Sequence, residues 1–126
     1  MKFSTLMFVG AVVTLVFGLG FILMPAQVLS LYGVTLDPSG QFVGRYLGSS
    51  FLGIAVLAWL ARNAPASETR RAIVSALFVT TVLGFVVALY DKFAGPGNAL
   101  VWSTVVIYLL FAVGFGYFAF FKRGDS

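Results

Sequence analysis

The sequence contains no cysteine and no histidine. The first absence removes disulfides and thiolate nucleophiles. The two together remove the commonest metal ligands and the usual imidazole ligand of a haem iron. Acids are almost as scarce: Asp37, Glu68, Asp91 and Asp125 are the whole set. No two of them stand at a spacing suited to general acid–base work, and no Ser-His or Cys-His pair can be assembled. Proton-coupled pumps generally carry an acid at mid-membrane, and all four acids lie outside the long apolar runs. The residues therefore give no ground for expecting an enzyme, a bound metal or a cofactor.

What is abundant is apolar. Of 126 residues, 60% are hydrophobic and 10% are charged, where globular chains carry about 25% charged residues. A small soluble fold has too little interior for so much apolar surface, so lipid is the expected solvent. The net charge is +4. The basic residues are dispersed between apolar blocks and form no stripe, which fits topology signals and not nucleic-acid binding.

Four apolar blocks run Phe3–Met24, Phe42–Ala61, Ala72–Tyr90 and Leu100–Phe121. Each is about 20 residues long, the length that spans a hydrocarbon core as an α-helix. Backbone groups in lipid must be satisfied internally, and strict apolar/polar alternation is absent, so the blocks read as helices and not as barrel strands. The expected fold is all-α: one domain over 1–126, a four-helix membrane bundle with a short interfacial helix after the first span. The first block is longer than the apolar core of a signal peptide, and Leu23-Met24-Pro25-Ala26 is a poor cleavage site. A retained first helix is expected.

The connections carry helix punctuation. Pro25 ends or bends the first helix. Ala26–Tyr32 reads as the interfacial helix, with Gly33 placed to stop it in the left-handed conformation. Asp37-Pro38 is a strong start, an N-cap followed by proline at the first helical position. Ser67 is placed to cap the third span and Asn98 the fourth, and Gly95-Pro96-Gly97 breaks the chain between them.

Counting basic residues sets the orientation. Lys2, Arg62, Arg70, Arg71, Lys122 and Arg123 share one side; Arg45 and Lys92 share the other. The richer side is expected in the cytoplasm, together with both termini. Small residues recur every four positions at Ala72, Ala76, Thr80, Gly84 and Ala88, with Gly44, Gly48, Ala112 and Gly116 on other spans. Such spacing lets helix backbones approach closely. It reads as packing within the bundle or, alternatively, as a face for self-association.

Arg45 is the one charge inside a predicted span. It shares a stripe with Gln41 and Ser49, four residues away on either side. Asp37, Asp91 and Tyr46 are expected near the same level. A charge within a span is by default a functional hypothesis. The site Arg45, Gln41, Asp37, Asp91 and Tyr46 would hold an anionic or polar headgroup. The plainer reading is an arginine that snorkels to the interface or pins two helices. The many aromatics suit lipid-facing packing, with Tyr32, Tyr46, Tyr90 and Trp102 in one interfacial belt and Trp59 in the other.

Two resemblances follow from short motifs. Gly44-Arg45-Tyr46 is similar to a segment of the small four-helix fluoride channels. Their Thr-Thr-Phe-Ser segment has no counterpart, since Thr80-Thr81 is followed by Val82-Leu83, so this few-residue match is a coincidence and carries no expectation. A broader pattern is Phe17-Gly18-Leu19, Met24-Pro25-Ala26, Leu31-Tyr32-Gly33, Arg45-Tyr46-Leu47-Gly48 and Trp59-Leu60-Ala61-Arg62. It resembles small four-helix bacterial inner-membrane proteins of DoxX-like or domain-of-unknown-function type, over the first half of the chain. The resemblance implies a four-helix bundle in a bacterial inner membrane and no activity. The leading expectation is a non-catalytic accessory or assembly subunit of a larger complex, or a self-associating bundle in contact with membrane lipids. The alternative is a protein that binds or transports a lipid or small amphiphile near Arg45.

Overall fold

The computed structural model describes residues 2–94 and 98–121. These are helical throughout, apart from the connections. The helices are α1 (Phe3–Leu23), α2 (Pro25–Leu31), α3 (Pro38–Ala61), α4 (Glu68–Ala94) and α5 (Val101–Gly116), the last widening into a π-helical turn over Tyr117–Phe121. Four segments are long and apolar enough to cross a membrane: Phe3–Leu23, Pro38–Ala61, Glu68–Ala94 and Val101–Phe120. The all-α class and the four spans agree with the sequence. The second and third spans, α3 and α4, begin four residues before their apolar blocks, because the capping residues and first turns are polar.

Local chemistry explains the boundaries. The Asp37 carboxylate accepts from the Gly40 backbone N–H at 2.7 Å, with Pro38 in the first turn. Ser67 Oγ accepts from the Arg70 N–H at 3.2 Å. Both bonds satisfy donors that a helix start leaves orphaned. Gly33 has a φ of 76° and closes α2. The expected cap at Asn98 shifts by a turn: its Oδ1 accepts from Leu100 N–H at 2.9 Å, and Leu100 itself precedes α5. Val101, Trp102 and Ser103 each donate three residues back, so α5 enters through a tight turn that Asn98 anchors. The Gly95-Pro96-Gly97 break, Lys122, Arg123 and Asp125 lie outside the described residues.

The chain forms two compact units that part at Arg62–Asn63. In the first, α1 and α3 lie antiparallel. Phe8 meets Trp59 near one end and Phe21 meets Phe51 near the other, at ring distances of 6.0 Å and 6.1 Å. In the second, α4 and α5 do the same, with Phe78 against Phe120 at 5.2 Å and Phe93 against Trp102 at 5.8 Å.

Each long helix has one buried or half-buried seam spaced alternately by four and three. On α3 it is Gly44, Gly48, Phe51, Ala55, Ala58 and Arg62; on α4 it is Arg70, Val74, Leu77, Thr81, Gly84 and Ala88. On α5 it runs Val101, Val105, Tyr108, Ala112, Phe115 and Ala119. A mean step of 3.5 residues keeps one seam facing a partner along the whole helix. The small-residue run on α4 steps by four instead, and at about 100° per residue it drifts roughly 160° from Ala72 to Ala88. Hence Ala88 is buried while Ala72, Ala76 and Thr80 are exposed. That run is not one packing face; it crosses the true seam only near Gly84 and Ala88.

Candidate functional site

The sequence-derived site centres on the first turns of α3. Asp37 and Gln41 are brought together there as helix-start chemistry. Asp37 holds Gly40, and the Gln41 side-chain amide donates to the Leu36 carbonyl at 3.4 Å. Phe42 and Tyr46 meet edge to face at 5.0 Å, both well exposed. Arg45 is exposed and, among the described residues of its own unit, its side chain makes no hydrogen bond or ion pair. The Asp37 carboxylate, expected at the same level, caps Gly40 through Oδ1 and is not paired with Arg45. Asp91 lies in the other unit, on the exposed side of the last turns of α4.

The rest of the outer face of α3 is unusual for a spanning helix. Ser49, Ser50 and Gly53 are exposed, and a Cβ built on Gly53 would meet nothing within 4 Å. Among the described residues the Ser49 and Ser50 hydroxyls make no hydrogen bond. The exposed Thr80 of α4, by contrast, returns its hydroxyl to the Ala76 carbonyl at 2.9 Å. With Arg45, the residues Ser49, Ser50 and Gly53 make α3 the least apolar of the four candidate spans. The face therefore offers one cation, free hydroxyl donors and a flat glycine, with apolar Val56, Leu57 and Leu60 beyond them. It can receive hydrogen-bond acceptors, but it holds no nucleophile–base pair and no acid. Among the described residues no group of acids, histidines or cysteines could hold a metal ion.

Two arginines play parts that basic-residue counting does not reveal. Arg62 lies 3.7 Å above the Trp59 ring and donates to the Trp59 carbonyl, which ties the end of α3 to an interfacial aromatic. Arg70 is only 5% exposed. Its guanidinium donates to the Ala64 carbonyl at 3.4 Å and lies 5.9 Å from the Phe118 ring. It thereby joins the start of α4 to the π-helical turn of the last span. One signal was available: Arg70 lies four residues before Val74 on the 3.5-residue seam, whereas Arg71 falls off it.

Four helices of spanning length and apolarity mark the chain as a membrane-type helical protein. It belongs to a family described as a domain of unknown function, DUF8292, whose pattern matches residues 1–121. No curated protein and no solved structure matches it. The domain-of-unknown-function part of the resemblance is met, and no link to DoxX accompanies it.

Proposed function

We propose that this chain is a non-catalytic membrane subunit that works by helix–helix association. In this reading α3 presents its outer face to a transmembrane helix of a second copy or of a larger complex. The observation that carries it is the exposed run Ser49, Ser50 and Gly53 in a spanning helix. Lipid tails gain nothing from hydroxyls or from a missing side chain. A neighbouring helix gains both close backbone approach and interhelical hydrogen bonds. The residue alphabet also supports a role without chemistry, since the chain carries no histidine or cysteine. The basic-residue count supports both termini in the cytoplasm, and the bacterial inner membrane is the setting that the resemblance implies. Gentle extraction from native membranes, followed by mass determination of the intact particle, tests the reading. A particle containing a second copy or a stoichiometric partner protein is expected. A lone monomer with lipid alone would contradict it.

A further inference from the structure

We infer that the Arg45 end of α3 binds the phosphate group of an anionic phospholipid. This site lies shallower than the centre of the helix-docking face and borders it at Ser49. Arg45 and Gly53 are eight positions apart, about 12 Å along the axis at 1.5 Å per residue. Gly53 falls near mid-span, while Arg45 lies only about 5 Å below Phe42, where the apolar block begins.

A guanidinium at that depth needs acceptors, because a charge without partners in hydrocarbon is costly. Its own unit supplies none among the described residues: the Arg45 side chain makes no ion pair or hydrogen bond there, and the Asp37 carboxylate, which caps Gly40 through Oδ1, is not paired with it. The acceptors at this level of a bilayer are headgroup oxygens, which a long arginine side chain reaches by snorkelling. Its neighbours turn a simple anchor into a site. One turn deeper on the same stripe is Ser49, with a free hydroxyl. One turn shallower is Gln41, whose amide keeps a second N–H beside the one it gives to the Leu36 carbonyl. The exposed Phe42–Tyr46 pair stands beside them. A phosphate set between these donors receives the planar guanidinium fork, which suits two of its oxygens at once. An anionic lipid is favoured over a zwitterionic one because it brings no cation to compete with Arg45.

Native mass spectrometry of the detergent-purified chain tests this with phosphatidylglycerol, phosphatidylcholine and inorganic phosphate as probes. Phosphatidylglycerol should be retained roughly tenfold more than phosphatidylcholine, the factor expected of a charge-assisted contact. Arg45→Leu should remove that preference. Arg71→Leu, an exposed arginine elsewhere, should leave it intact. Thermal melts of both variants confirm folding, and Arg45→Gln provides a second neutral variant should Arg45→Leu fail to fold. Equal retention of the two lipids would overturn the proposal. So would an unchanged preference in a folded Arg45 variant. Displacement of the lipid by millimolar inorganic phosphate would overturn the lipid assignment in favour of a free anion. A native particle in which a partner's carboxylate contacts Arg45 and no lipid is retained would overturn it in favour of a protein ion pair. The association proposed above is read separately, from particle mass, and does not fail with the lipid proposal.

Discussion

Gly18 of α1 and Gly48 of α3 stand backbone to backbone. A Cβ built on Gly48 would lie 2.7 Å from the Gly18 carbonyl oxygen and 2.9 Å from the Ile22 nitrogen, and one on Gly18 would lie 3.0 Å from the Gly48 oxygen. The obstacle is main chain on both sides, so no rotamer change can relieve it. Gly48→Ala should therefore lower stability by about 1–3 kcal/mol, the usual cost of overpacking. Gly53→Ala is the matched control on the same helix. It meets open space and gains helix propensity, so it should be neutral or stabilising by up to about 1 kcal/mol. Thermal unfolding in one detergent, with the two variants side by side, checks both.

The second unit has a glycine of a different kind. A Cβ on Gly84 would run into the Tyr108 ring, not into backbone. The contact is a side chain crossing a helix, and side chains can be exchanged. Gly84→Ala alone should destabilise, by an amount similar to Gly48→Ala. Combined with Tyr108→Leu, which clears the space, Gly84→Ala should add little further cost. Residues in direct contact show such coupling, and distant ones do not. A double-mutant cycle read by thermal unfolding gives the coupling energy directly. Simple additivity would show that Gly84 and Tyr108 do not meet.

Arg70 and Arg71 are neighbours in sequence with opposite surroundings. Arg70 is buried, bonded to Ala64 and packed near Phe118, while Arg71 is exposed. Arg70→Ala should cost about 1–3 kcal/mol through lost hydrogen bonding and packing. Arg71→Ala should stay within about 0.5 kcal/mol, as surface changes do. Equal effects in a melting experiment would contradict the role given to Arg70.

These contrasts show where sequence reasoning succeeds. Helix length, apolar content and the cap residues Asp37, Ser67 and Gly33 are local properties, and each occupies its expected place. Packing faces are less legible. The run Ala72 to Ala88 at steps of four attracts attention because its residues are small. The buried seam follows steps of four and three and mixes sizes, from Gly84 to Leu77. Gly18, the partner of Gly48, stands out in no spacing pattern, because an encounter between two helices is not written in either one. Arg45 was legible as a charge inside a span. That Asp37 is engaged elsewhere was not, because the same carboxylate suits both a cap and an ion pair.

The central claim is that the outer face of α3 takes up another helix. Because the chain has no native cysteine, single cysteines at Ser50, Gly53, Ala55 and Ala58 can each carry a thiol-linked photo-crosslinker in native membranes. Ser50 and Gly53 lie on the exposed face, whereas Ala55 and Ala58 are buried on the opposite seam. Illumination should give one discrete higher-mass protein adduct from positions 50 and 53, and none from positions 55 and 58. Adducts to lipid alone from positions 50 and 53, in a chain whose melting is unchanged, would contradict the account.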